Sequence, residues 1–302
     1  MLSPRHLRRL FGALHGLLDF ATLDEVTLEA NPATFDAAKA RLFRELGVTR
    51  VSLGIQAFSA EVLATLGREH SVAQALESVA ILRQAGIPSV NIDLMFSIPG
   101  QSRDVWQATL EQAVALLPEH VSAYNLTYEE DTAFFESLRR GDVREDEDRN
   151  AGFFQLADVV LTEAGFEHYE TSNFARTGHH SSHNRGYWRG EDYLGLGPSA
   201  VSTLDHIRSK NVADTDRYIM QVQSLGHAMA EAETLDPEAR RLERIALGLR
   251  TGEGIPLALL APDALSRAHH LAAAGLLRIS AERLVLIDQG RALVDSIAAE
   301  LV

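Results

Sequence analysis

The 302-residue sequence contains no cysteine. Disulfides, thiol catalysis and thiolate-held iron–sulfur clusters are therefore excluded for these residues. No run approaches the roughly 20 apolar residues that a membrane-spanning helix needs, and the opening Met1-Leu2-Ser3-Pro4-Arg5-His6 has no apolar leader core. No integral membrane segment is expected, and a cytoplasmic location is. Basic charge is scarce as well: 28 Lys and Arg face 42 Asp and Glu, a formal net charge of -14. General binding to nucleic acid or to anionic membranes needs clustered cations, so neither is expected.

What is present is a 46% hydrophobic fraction, enough for a packed core. The length suits one large α/β unit with a smaller domain, or two ordinary domains. Arg50-Val51-Ser52-Leu53-Gly54-Ile55-Gln56-Ala57-Phe58 alternates apolar residues with small or polar ones, the period of a strand, and it ends in a polar side chain, Gln56. Val26-Thr27-Leu28-Glu29, Val90-Asn91-Ile92-Asp93-Leu94-Met95 and Val121-Ser122-Ala123-Tyr124-Asn125-Leu126 repeat that design with Glu29, Asp93 and Asn125. In sheets built from successive βα units, ligands bind at the C-terminal strand ends. One polar residue at each strand mouth predicts a single shared pocket.

Between these strands lie helical signals. Ser3-Pro4 opens an amphipathic helix carrying Leu7, Leu10, Phe11, Leu14, Leu17 and Leu18. A second helix spans about Ala37 to Leu46 and ends at Gly47. Ser71 and Gln74 form a capping box ahead of Val72, Leu76 and Val79. Trp106, Leu110, Val114 and Leu117 make the stripe of another helix, closed by Pro118. Strands alternating with helices predict a parallel sheet, open or curled. The acidic patch Glu145 to Asp148 reads as a helix start favoured by the dipole. His168 to Leu204 has little periodicity and is expected to be irregular and functional. From Pro237 onward two helical patterns and a small hairpin outline a winged-helix-like module. Its charge is too balanced for DNA, so it reads as a structural or protein-contact domain.

Several ordered motifs carry a resemblance: Leu28-Glu29-Ala30-Asn31-Pro32, Ser52 to Phe58, Gly67-Arg68-Glu69-His70, and Asn91 to Gly100. In these contexts the chain resembles the radical S-adenosylmethionine enzymes of the oxygen-independent coproporphyrinogen III oxidase family, over essentially its whole length. Ser182-His183-Asn184-Arg185-Gly186-Tyr187-Trp188 resembles the His-Asn-x-x-Tyr-Trp motif of that family's heme-chaperone branch, as does the closing Arg283 to Arg291.

The resemblance implies an α/β fold: a partial (β/α)6 radical-SAM barrel missing its first two strands, over 1–130, a barrel extension over 131–235 and an α+β winged-helix-like domain over 236–302. It implies that Glu29, Gln56, Arg68 and Asp93, with Thr127 from the fourth strand mouth, contact S-adenosylmethionine; the bland alternative is that they only tie loops together at the strand ends. It implies that His183, Asn184, Tyr187 and Trp188 contact heme, with His183 as an axial iron ligand. For His183 a surface histidine, or a divalent-metal site with His179 and His180, are the alternatives. The family's [4Fe-4S] cluster is held by a Cys-x-x-x-Cys-x-x-Cys motif on its first strand, which this sequence lacks, so whether the chain is an enzyme stays open. The expected function is a heme chaperone passing heme to an acceptor protein; the alternatives are a coproporphyrinogen III oxidase or an inactive fragment. The missing motif suggests a truncated reading frame, with Met1 an internal or misassigned start.

Overall fold

The computed structural model describes residues 2–130, 132–287 and 289–302. Met1, Asp131 and Asp288 lie outside the described residues, and with them the suggested start, the first residue of the expected middle segment and one residue of the closing motif. The chain divides into two units, Met1–Ser181 and Ser182–Val302.

The first unit opens with α1 (Pro4–His15), where Ser3 caps the first turn by accepting from the His6 N–H and Pro4 takes a position that needs no donor. Leu7 and Phe11 are its buried residues, whereas Leu10, Leu17 and Leu18 are exposed. Then follow β1 (Thr27–Ala30), α2 (Ala37–Glu45), β2 (Arg50–Gln56), α3 (Ala60–Thr65), α4 (Val72–Gln84), β3 (Ser89–Phe96), α5 (Arg103–Ala115) and β4 (His120–Asn125). The capping box of Ser71 and Gln74 is formed in full at the start of α4. Leu117 departs from the expected stripe: α5 ends at Ala115, and Leu117 is exposed in a turn with positive φ.

Neighbours β1 to β4 are all parallel, Glu29 pairing with Ser52, Gly54 with Asp93, and Asp93 with Ser122. The sheet continues beyond α6 (Ala133–Arg140) and α7 (Glu147–Glu163) into β5 (Glu167–Glu170) and β6 (Asn173–Ala175). Its order is β1-β2-β3-β4-β6-β5, with the last two strands antiparallel. The expectation that 168–204 is irregular is corrected here. It contains most of β5 and all of β6, and sequence pattern hid them because they are only 4 and 3 residues long and are held by pairing, β6 to β4 and β5 to β6. The acidic patch behaves as read: Asp146 caps α7 by accepting from the Arg149 N–H, with Glu147 and Asp148 in the first turn.

Helices cover one face of this sheet. Val51, Leu53, Ile55, Val90, Ile92, Leu94 and Val121 pack with residues of α2, α4, α5 and α7, among them Phe43, Leu82, Trp106, Leu110 and Leu161. Each such fully buried side chain contributes about 1.5–3 kcal/mol by leaving water. By the two-residue period of a strand, the intervening Arg50, Ser52, Gly54, Asn91, Asp93, His120 and Ser122 point to the other face. That face is polar, and it carries the site.

The second unit begins with α8 (Ser182–Trp188), followed by β7 (Val201–Leu204), β8 (Ile207–Asn211), α9 (Thr215–Leu225) and β9 (Met229–Thr234), whose strands form an antiparallel meander. Next come α10 (Pro237–Gly248), β10 (Ile255–Pro256), α11 (Pro262–Ala273), β11 (Leu277–Ile279), β12 (Arg283–Leu286), α12 (Gln289–Ala292) and α13 (Val294–Leu301). Strands β11 and β12 make the antiparallel hairpin read from the sequence, and β10 pairs on its outer side. Helix, short strand, helix and hairpin are the elements of a winged helix. Its core is built from Ile245, Leu249, Ile255, Ala268, Leu284, Leu286 and Ile297.

Candidate functional site

The polar face of the first sheet gathers its side chains around Asp93. Ser52 Oγ donates to both carboxylate oxygens at 3.0 and 2.9 Å, and Asn91 Nδ2 donates to Oδ1 at 2.6 Å. Burial pushes the Asp93 carboxyl up, the bonds from Ser52, Ser122 and Asn91 pull it down, and the negative charge of Glu29 adds a smaller upward push. Glu29 is exposed on β1, two strands from Asp93, and is paired in register with Ser52 of the intervening β2.

Gln56 ends β2 at a register shift, with a left-handed φ of 71° and its side chain buried. This backbone turns its amide back over Gly54. A methyl group on Gly54 would stand 2.9 Å from Asn31 Oδ1 and 3.1 Å from Gln56 Nε2. Glycine is therefore what lets Asn31 and Gln56 close in over the strand mouth, and Gly54 is also the register partner of Asp93.

Arg68 lies on the loop after α3, half-buried. Two residues on, buried His70 donates from Nε2 to the Ile55 carbonyl at 3.1 Å, tying this loop to the end of β2. Burial holds His70 below the usual histidine range, so it is neutral. Thr127 is exposed just past β4, where Leu126 N–H still bonds Phe96 O. The structure thus brings Glu29, Gln56 and Asp93 onto one face and leaves Arg68 on the loop between α3 and α4 and Thr127 on the loop that follows β4.

In the second unit His183, Asn184, Tyr187 and Trp188 all lie on α8. His183 and Tyr187, one turn apart, are exposed with their rings edge to face at 4.7 Å, and Tyr187 also meets Tyr193 at 4.6 Å. Arg185 occupies the opposite side of the helix, and Arg189 lies just past its end. They donate to Glu253 at 2.8, 3.1 and 2.6 Å and hold its carboxyl down at about 2. Arg283 from β12 donates to the backbone carbonyls of Glu253 and Gly254. Helix α8 is thereby fixed to the winged-helix turn with its His183–Tyr187 edge in solvent. Among the described residues no three His, Cys, Asp or Glu side chains converge as a metal cage.

Sequence reasoning missed Asn91, His120 and Tyr169, which support Asp93 from behind. For Asn91 and His120 the signal was available in the alternation of β3 and β4, where every second residue is polar although both strands are central in the sheet; Tyr169, on β5, had none.

Two family models match the chain: the Radical SAM superfamily over residues 5–113 and the HemN C-terminal domain over 235–293. The heme chaperone HemW of Lactococcus lactis is 34% identical over 256 residues, 84% of this chain and 67% of that protein. HemW of Mycobacterium tuberculosis is 37% identical over 278 residues, 92% of this chain and 71% of that one. The chain belongs to the HemW family of radical SAM proteins. A Danio rerio relative, the mitochondrial radical S-adenosyl methionine domain-containing protein 1, is 37% identical over 246 residues, and the chain spans 55% of its length. The structure of coproporphyrinogen III oxidase (HemN) from Escherichia coli superposes with a TM-score of 0.83 at 21% identity, covering 99% of this chain and 74% of that one. The HemN likeness fixes the fold: an α/β radical SAM scaffold with its C-terminal domain.

Proposed function

We propose that this chain is a heme-binding chaperone that passes heme to an acceptor protein, working in the cytoplasm, with S-adenosylmethionine bound on the polar face of its first unit. The observation that carries it is the His183–Tyr187 edge of α8. An exposed imidazole offers iron a ligand, the adjoining tyrosine offers the porphyrin an apolar face, and the arginine clamp holds the helix still from its other side. Asn184 and Trp188, on the same short helix, are the further heme contacts of this reading, Trp188 from the side where it lines the cleft beside Arg189 and Glu253. Relatives named heme chaperones support the reading.

On the first unit, Asp93 and Glu29 suit the amine or the ribose hydroxyls of the nucleoside, Gln56 adds an amide, Arg68 supplies a cation for the carboxylate, and Thr127 a hydroxyl. Gly54 leaves room for Asn31 and Gln56 to close over the strand mouth, so their amides, rather than the glycine itself, are what a ligand would meet there. When bound with a reduced cluster, the nucleoside of radical SAM proteins supplies a carbon radical. The residues of this chain do not fit a [4Fe-4S] cluster, because they include no thiol to hold it, and no radical step is derived for them.

Titrating the purified protein with heme tests the reading. A shifted Soret band is expected, and it should be lost or displaced in His183→Ala. An unshifted band, or unchanged binding by the variant, would overturn the chaperone function.

A further inference from the structure

Behind Asp93 a line of buried groups crosses the sheet, and the chemistry of each fixes the direction of every hydrogen bond. An ionised carboxylate only accepts, so the Asn91 nitrogen must face Asp93, at 2.6 Å. The Asn91 oxygen then faces His120, whose Nδ1 lies 2.6 Å away and must be the protonated nitrogen. His120 Nε2 is left as an acceptor, 2.8 Å from the Tyr169 hydroxyl, which donates to it. Tyr169 Oη in turn accepts from the Ser181 backbone N–H at 3.2 Å. His120 is fully buried and Tyr169 nearly so. Burial, with the Arg50 guanidinium nearby, keeps His120 neutral, and burial keeps Tyr169 a phenol, so neither supplies a charge that would reverse the line.

We propose that His120 and Tyr169 are positioning residues for a nucleoside ligand, acting through Asn91 to orient the Asp93 carboxylate by a one-way relay that starts at the Ser181 N–H. The inference rests on the nucleoside reading of the polar face. Ser52 and Asn91 occupy Asp93 from within the sheet, so the remaining lone pairs of a half-buried carboxylate point outward, where a ribose diol or an ammonium group would meet them. Polarising such a line strengthens its last bond. Arg50, which donates to the His179 carbonyl, and Ser181 Oγ, which donates to Glu25, fasten the far end.

The test uses S-adenosylhomocysteine as the probe, in calorimetric titrations of the wild type, Tyr169→Phe, Asp93→Asn and the double variant, with nitrogen-15 histidine spectra of the ligand-free protein. Tyr169→Phe should bind roughly 3–10-fold more weakly, the scale of one hydrogen bond in a buried network. In the Asp93→Asn background the same change should have no further effect, because the phenol acts only through that carboxylate. The spectrum should show His120 protonated at Nδ1 and bare at Nε2, and this signal should move in Asp93→Asn. Additive losses in the double variant, unchanged binding by Tyr169→Phe, or a His120 protonated at Nε2 would overturn the relay. Absence of binding by the wild type would remove the nucleoside reading instead. The two failures are told apart because the histidine spectrum is read without ligand.

Discussion

Replacing Glu253 by Gln should loosen α8 without touching any residue of its exposed edge. The carboxylate accepts three hydrogen bonds, a fork from Arg189 and a single bond from Arg185. Its fall from the ordinary 4.5 to about 2 corresponds, at about 1.4 kcal/mol per unit, to an upper bound of roughly 3.5 kcal/mol. The side chain is 44% exposed, so solvent screens much of that, and an interaction of about 1–2 kcal/mol at pH 7 is the reasoned figure. For a unit of this size that is a fall of about 3–8 °C in melting temperature. The sign with pH follows from the depressed carboxyl: the contribution is full above about 4.5 and vanishes as pH falls through about 2, where wild type and variant should converge. Trp188 reports locally, since it lines the same cleft of about 310 Å³ as Arg189 and Glu253. The other of the two tryptophans, Trp106, is buried in the first unit and can be replaced by Phe in a common background. Denaturant melts followed by Trp188 emission should show the second unit weakened in Glu253→Gln. A variant within about 0.3 kcal/mol of its parent at pH 7 would refute the claim that the clamp holds α8.

Gly54→Ala is expected to separate binding from stability: the added methyl crowds the side-chain ends of Asn31 and Gln56 and meets the Ala30 carbonyl only at ordinary contact distance, and the two side chains can give way for about 1 kcal/mol. S-adenosylhomocysteine affinity should fall at least tenfold, and unchanged affinity would show that the strand mouth is not the nucleoside site. His70 and His120 are both held below the ordinary 6.5 when folded, so the unfolded chain binds protons that the native one refuses. Stability of the first unit should be full above that value and decline as pH drops below it, by up to about 1.4 kcal/mol per pH unit for each histidine. Urea melts between about pH 7.5 and 5.5 measure it, and a flat profile would mean that these imidazoles are not buried neutral.

The parts of the fold that sequence made legible are those with a strong local cause. Ser3-Pro4 and the Ser71–Gln74 box start α1 and α4 as read, because caps act within one turn. The four parallel strands announced themselves through Val, Ile and Leu at every second position. β5 and β6 did not, since Glu167-His168-Tyr169-Glu170 has no apolar rhythm and is a strand only because β6 pairs it to β4. For the site, the polar positions of Glu29, Gln56 and Asp93 were visible in sequence, but β3 runs on to Phe96 and leaves Asp93 three residues short of its strand end, and the turning of Gln56 over Gly54 depends on a register shift that no residue pattern encodes. The clamp on Glu253 was invisible for a similar reason: Arg185 and Glu253 are 68 residues apart.

The polar alternation of β2, β3 and β4 carries a stronger implication than any single motif. Central parallel strands covered by helices on both faces become nearly continuous apolar runs, because each face must be dry. Here Arg50, Ser52 and Gly54, then Asn91 and Asp93, then His120 and Ser122 interrupt those runs at every second position. Burying so many polar groups against a second helical layer would cost more than packing returns unless each found a partner. They do find partners, chiefly one another, and the helices stay on the apolar side. A sheet that keeps one face for a hydrogen-bonded lattice is consistent with the proposed polar ligand on that face. On the proposed reading, the carboxylates of Glu29, near the end of β1, and Asp93, three residues before the end of β3, set which part of the ligand that face would grip.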